Sequence, residues 1–347
     1  MTVSLIGSNT AELRALAQEQ GVPAYRGDQW AQWIYRRGAR SFEQMANLPE
    51  ALRTRLSENL AVGRSRVVAL RHSRDGTVKL LLEATDGSRV ETVGLPYEGR
   101  FSCCVSTQVG CPIGCVFCAT GASGYTRNLT AGEIVDQVLS AQESLSADAP
   151  QGDKQGRINH VTFMGMGEPL LNYEATLKAV HLLNDEVGIG MRHLTVSTSG
   201  YMPGILRLMK EKLQVTLAVS LHAARDDLRR QLVPGMSRWS VAQLVGVCHQ
   251  YFQQTGRRVT FEYCLLAGVN DRDTEARELA QTLRGLGCHV NLIPYNQVPG
   301  LPYRAPSAKQ VQAFRETLEG AGIPVTQRFQ RGADIEAACG QLRRQIA

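Results

Sequence analysis

Three cysteines, Cys111, Cys115 and Cys118, stand in the run C-P-I-G-C-V-F-C, spaced three and then two residues apart. At that spacing one tight loop can hold three corners of a cuboidal iron–sulfur cluster, which ordinarily takes four cysteine ligands. A set of three that is complete in itself leaves one iron open to a ligand from outside the protein. The competing chemistry is a structural zinc ion, with Cys103 or Cys104 as fourth donor. Zinc sites pair two C-x-x-C knuckles, or one knuckle with two histidines. This chain has one knuckle, extended by C-x-x-x, and no second. The spacing favours the cluster.

Other candidates follow apolar, β-rich runs. Gly165-Met166-Gly167-Glu168-Pro169 comes after H-V-T-F-M-G, Ser199 closes S-T-S-G, Ser220-Leu221-His222 ends another run, and Asn296 ends I-P-Y-N. Taken singly, a serine after a strand is an ordinary turn former or helix cap, and a single histidine is ordinarily a packed imidazole. Two cysteines lie outside the triplet in distinctive settings. Cys104 opens C-V-S-T-Q-V-G-C, seven residues before Cys111, and Cys339 sits in A-A-C-G-Q-L. Cys103 precedes Cys104 on an extended run, so it should face the opposite way and pack. Cys248, Cys264 and Cys288 read as buried small hydrophobes.

The triplet resembles the signature of radical S-adenosylmethionine (SAM) enzymes. Together, C-V-S-x-Q-V-G-C and A-A-C-G-Q-L resemble the RlmN/Cfr family of RNA adenosine methyltransferases over essentially the whole chain. The resemblance implies a [4Fe-4S] cluster on Cys111, Cys115 and Cys118, its open iron chelated by SAM. It further implies Gly167 and Glu168 at the amino group of SAM, with Ser199, Ser220, Leu221, His222 and Asn296 as further cofactor contacts. The family modifies C2 or C8 of adenine, electron-poor carbons that cannot attack a methyl group as nucleophiles, so a radical route is needed. Cys339 is implied as the thiol that first accepts a methyl group from one SAM. An adenosyl radical from a second SAM then activates that methyl group, which adds to the ring. Cys104 is implied as the thiol that attacks the Cys339 sulfur, closing a transient disulfide as the product leaves. Glu91, in R-V-E-T-V, matches the family's proton acceptor, although the alternation V-E-T-V would equally produce an ordinary strand residue.

The expected function is C2 methylation of an adenosine in 23S ribosomal RNA and of adenosine 37 in transfer RNAs. A Cfr-type C8 methyltransferase acting on 23S ribosomal RNA and conferring antibiotic resistance would share every residue named. A zinc-stabilised RNA-binding protein without catalysis is the third reading. The resemblance also implies an electron donor such as flavodoxin or ferredoxin, external thiols to reduce the disulfide, and a monomer.

The elements that must position these groups divide the chain in three. Residues 1–62 read as a helical accessory domain that contacts RNA. Within it Trp30, Trp33 and Ile34 form one apolar stripe behind a cap at Asp28. Arg36, Arg37 and Arg40 lie just beyond, as a solvated or phosphate-contacting face. From Arg26 to Arg66 there are eight arginines against four acids. Residues 63–100 predict a β-meander connector, with Asp75-Gly76 and Asp86-Gly87 as hairpin turns. Residues 101–347 alternate strands with amphipathic helices such as 131–143 and 241–252. Strands are expected at 101–106, 160–165, 193–198, 215–221, 259–265 and 289–294. Six βα units are too few for a closed eight-stranded barrel, so an α/β fold with a partial (βα)6 radical SAM barrel is expected. Its ligands would sit at the carboxyl ends of the strands.

The bulk composition agrees with a cytoplasmic enzyme. The 347 residues are 43% hydrophobic and 20% charged, which is globular rather than disordered composition. No stretch approaches the ~20 apolar residues of a membrane span, and the N-terminus lacks the basic region and apolar core of a secretory signal. Nine cysteines, an odd number, suit a reducing compartment. A net charge of +6 is compatible with an RNA partner.

Overall fold

The computed structural model describes residues 2–147 and 157–343. Ten strands lie side by side in chain order: Arg66–His72, Val78–Glu83, Arg89–Tyr97, Arg100–Cys104, His160–Phe163, Leu194–Thr198, Thr216–Ser220, Val259–Leu265, Cys288–Pro294 and Val325–Gln327. The first four are mutually antiparallel, and from Arg100–Cys104 onward every neighbour is parallel. All six expected strands are present. A seventh parallel strand, Val325–Gln327, escapes sequence reading because three residues are too few to show a period. Among the described residues the two outer strands do not pair with each other, so the barrel is open.

The meander forms where Asp-Gly places its turns. Gly76 and Gly87 both have φ of +80°, and the preceding carboxylates accept the Thr77 and Ser88 N–H groups (2.9 Å each). It does more than connect. Val93 pairs with Cys104 and Gly94 with Cys103, so the meander continues the core sheet.

Each parallel strand alternates. Val161, Phe163, Val196, Leu217, Phe261, Val290 and Leu292 are buried in the core. Their neighbours Thr162, Thr195, Thr216, Thr260, Glu262 and Asn291 line a concave cavity of about 710 Å³. A sheet that fails to close cannot fill its hollow face with side chains, so that face stays polar. The helices cover the other face. Val241–Thr255 starts at a capping box between Ser240 and Gln243 and ends at Gly256, φ +65°, and Ala131–Ala147 starts with the reciprocal Thr130–Glu133 bonds (3.2 and 2.8 Å).

In the N-terminal domain Trp30 and Ile34 are fully buried and Trp33 partly so. Asp28 is not the cap. The helix runs Tyr25–Ala31 from Ala24, which makes no side-chain cap bond, and Asp28 pairs with Arg14 at 2.7 Å. This helix packs closely on the Thr10–Glu19 helix, since a Cβ on Gly27 would lie 2.4 Å from the Arg14 nitrogen. The arginines beyond the stripe are also redistributed. Arg36 donates to the Val187 carbonyl (2.8 Å) and Arg40 pairs with Glu143 (2.7 Å), fastening the domain to the core. Arg37 stays exposed, its guanidinium 4.4 Å from the Trp33 ring centre. Among the described residues no helix is long and apolar enough to cross a membrane.

Candidate active site

The cysteine loop is held by close backbone packing. Gly235 N–H donates to the Ile113 carbonyl (2.9 Å) and Val116 N–H to the Leu232 carbonyl (3.2 Å). Ile113 and Phe117 are buried with Leu228, Leu232 and Val233. Gly121 lets the turn Ala119–Ala122 nest on the loop, since a Cβ there would lie 2.8 Å from the Cys115 carbonyl oxygen. Cys111, Cys115 and Cys118 all face one cavity of about 150 Å³. Burial pushes the Cys111 thiol up to about 12 and Cys115 well upward, and the neighbouring cysteines and Glu168 add to both shifts. Thiolates so crowded need a positive body among them, which an iron–sulfur core provides.

The same cavity receives the carboxyl ends of the strands. Gly167 has φ of +105°, and a Cβ there would sit 2.6 Å from the Gln108 Cβ, so only glycine fits the turn. Glu168 is buried; its carboxylate accepts the Ser199 N–H (2.6 Å) and the Leu170 N–H (3.1 Å). Burial raises its pKa against those bonds. A buried carboxylate on a cavity wall with unused lone pairs suits an ammonium group. Ser199, Ser220 and His222 also line this cavity. His222 has φ of +61°, and its Nδ1 accepts the Cys264 N–H (3.0 Å). Burial, with Arg229 nearby, lowers its pKa to about 3. The ring is therefore neutral, with its proton on Nε2. Leu221 is fully buried in the core and lines neither cavity.

A second cavity of about 290 Å³ adjoins the first and shares Cys118, Tyr295, Arg328 and Cys339 with it. Cys104 and Cys339 both face it, and both are reduced thiols. Cys103 points into the core, 3.5 Å from the Thr92 hydroxyl, as alternation requires. Asn296 lines the second cavity and donates from Nδ2 to the Cys339 carbonyl (2.9 Å), fixing the Cys339 main chain. Like Leu221, Glu91 is kept off the walls of both cavities. It is buried on the meander, 3.2 Å from Lys79 Nζ, and accepts the Arg343 N–H (2.7 Å). Burial raises its pKa while Lys79 opposes the rise.

Four wall residues went unread in the sequence. Cys264 is buried as expected, yet it faces the first cavity. Arg328 faces both cavities, its pKa raised by its nearness to Cys339, Glu262 and Cys104 against the opposing effect of burial. Glu262 is buried on the first cavity's wall and accepts from Asn291 Nδ2 (2.8 Å). Among the described residues the buried Tyr295 hydroxyl has no hydrogen-bond partner, which suits a bound molecule. Of these, only Tyr295 carried a usable signal, its place beside Asn296.

Residues 3–62 match the profile of the ribosomal RNA large subunit methyltransferase N-terminal domain, and residues 105–280 match that of the radical SAM superfamily. A probable dual-specificity RNA methyltransferase RlmN from Thermosynechococcus vestitus is 49% identical over 339 residues, covering 98% of each chain. Its counterpart from Gloeobacter violaceus is 49% identical over 344 residues, covering 99% of this chain and 96% of the other. The crystal structure of a radical SAM methyltransferase from Sphaerobacter thermophilus superposes with a TM-score of 0.94 at 47% identity, covering 99% of this chain and all of the other.

Proposed function

The chain belongs to the RlmN-type radical SAM RNA methyltransferases, which use a [4Fe-4S] cluster and SAM, and from that premise we propose that it methylates C2 of an adenosine in 23S ribosomal RNA and of adenosine 37 in transfer RNAs. What supports this reading most is the adjoining of two cavities, one holding the cysteine triplet and one holding Cys104, with Cys339 on the wall of both. A cluster bound by Cys111, Cys115 and Cys118 supplies one-electron reduction of SAM. Its electron would come from a flavodoxin or ferredoxin.

The chain's own residues do the rest. Glu168 and the Gly167 turn hold the ammonium end of SAM, while Ser199, Ser220 and neutral His222 offer polar contacts along the same wall. Cys339 Sγ displaces the sulfonium from the SAM methyl carbon, one S–C bond forming as the other breaks. Once that carbon is joined to the adenine ring and the adduct has returned its unpaired electron to the oxidised flavodoxin or ferredoxin, Glu91 takes the ring proton. This requires the Arg343 main chain to release the carboxylate. Cys104 Sγ then attacks Cys339 Sγ. The S–S bond forms, the bond from Cys339 to carbon breaks with its electron pair on carbon, and protonation completes the methyl group. External thiols reduce the disulfide.

Mass spectrometry of RNA digested after anaerobic turnover tests the assignment: 2-methyladenosine is expected, and 8-methyladenosine would make this a Cfr-type enzyme. Cys339→Ala should abolish label from methyl-labelled SAM in both protein and RNA. Cys104→Ala should accumulate a covalent protein–RNA adduct. RNA still methylated by Cys339→Ala would refute the carrier role.

A further inference from the structure

Phe329 is the most exposed large apolar side chain among the described residues, 81% accessible. Its loop is pinned on either side. Arg328 N–H donates to the Leu292 carbonyl (2.8 Å), Gly332 N–H to the Asp75 carboxylate (3.0 Å), and the Arg331 guanidinium to the Pro96 carbonyl (3.0 Å). A phenyl ring held in water forfeits the gain of burial, and here the fold holds it there in a fixed place. That place is the rim shared by the Cys104–Cys339 cavity and the hollow face of the barrel. Beside it Tyr97 carries two guanidinium groups, Arg100 at 4.3 Å and Arg331 at 4.4 Å from the ring centre. Among the described residues no Asp or Glu lines the Cys104–Cys339 cavity.

We propose that Phe329 stacks on a nucleotide flanking the target adenosine while Arg100 and Arg331 meet the adjacent phosphates, so that the strand is held at the cavity mouth as one base turns inward. This rests on the RNA-methyltransferase reading above. A base that leaves its stack uncovers a face of its neighbour. An aromatic ring at the mouth covers that face whatever the base, because every base has a π-face. Guanidinium groups match a phosphate chain. Phe329 is thus a positioning residue for the substrate, apart from the thiol chemistry.

The test measures binding of an unmodified transfer RNA transcript by fluorescence anisotropy, with turnover in parallel. Phe329 is exposed, so its variants should fold. Phe329→Ala should weaken binding and raise KM on the order of tenfold with kcat at saturating RNA unchanged, while Phe329→Trp binds as the parent does. An abasic site on one side of the target adenosine should erase most of the Phe329→Ala penalty. Arg100→Ala should lower the slope of log affinity against log salt by about one. Phe329→Ala binding within about twofold of the parent would overturn the proposal. Methyl labelling of Cys339 without RNA keeps the two readings separate: its absence in the parent protein would refute the proposed function, whereas the affinity ratio still decides the role of Phe329.

Discussion

At the residue scale, the proposed release step depends on ionising a thiol that its surroundings keep protonated. Burial and the charge of Cys339 push Cys104 up to about 11, with Arg328 opposing. Below that value the thiolate fraction grows about tenfold per pH unit. Decay of the protein–RNA adduct, followed on gels, should therefore accelerate by up to about tenfold per unit between about pH 7 and 9; a flat profile would mean that another group resolves it. Glu91 offers a second discrimination. Glu91→Gln keeps an acceptor for the Arg343 N–H but cannot take a proton. If Glu91 is the base, RNA turnover should fall by roughly 100-fold or more while Cys339 labelling stays within about twofold. A parallel loss of both would make Glu91 an anchor for the C-terminal segment. The sequence reads the triplet, Cys104 and Cys339 directly because their spacing and local motifs carry them. It leaves Arg328 and Glu262 unread because each is a charged residue in a charged or alternating run, and only burial distinguishes it.

At the element scale, the meander is the floor on which the Cys339 segment rests. Asp75 accepts both its own turn's Thr77 N–H (2.9 Å) and the Gly332 N–H (3.0 Å). Asp334 accepts the Ser73 hydroxyl (2.6 Å), and Lys79 Nζ donates to the Glu336 carbonyl (3.2 Å). Burial alone would raise the Asp75 pKa, but the bonds from Thr77, Gly332 and Ser73 outweigh it and bring the value to about 2. A folded-state pKa below the ordinary 3.8 gives a contribution present in full above about pH 4 and lost as pH falls toward about 2. The latch is thus closed throughout the neutral range. Asp75→Ala should speed amide exchange across 332–340 and slow Cys339 methylation by about tenfold, the cost of one or two charge-assisted hydrogen bonds. Unchanged exchange would show that Asp75 serves its turn alone. The Asp-Gly turn itself is legible from sequence; its second partner, 257 residues further along the chain, is not.

At the scale of the molecule, a buried ion pair joins the N-terminal helices to the barrel. Arg64 bonds Asp136, both side chains being 1% exposed, and also reaches Glu143 (3.0 Å) and the Gly38 carbonyl (2.8 Å). Arg64→Ala leaves a buried carboxylate without its partner, so it should cost about 3–5 kcal/mol in chemical denaturation; a loss under about 1 kcal/mol, the range of surface pairs, would show that apolar contacts alone dock the domain. Sequence reading places the arginine-rich stretch from Arg26 to Arg66 facing solvent or RNA, whereas the fold buries the Arg64 side chain and ties Arg36 and Arg40 to the core. Composition, spacing and hydrophobic period by themselves determine the α/β class, the six longer parallel strands, the hairpin turns and the close-set cysteine triplet, because each is a local or strictly periodic property of the chain. Only the tertiary structure decides the hollow polar face, the meander as floor, the meeting of Cys104 with Cys339 and the outward ring of Phe329. Those depend on which distant segments share a wall and which side chains lose water, and neither is written in any single stretch of residues.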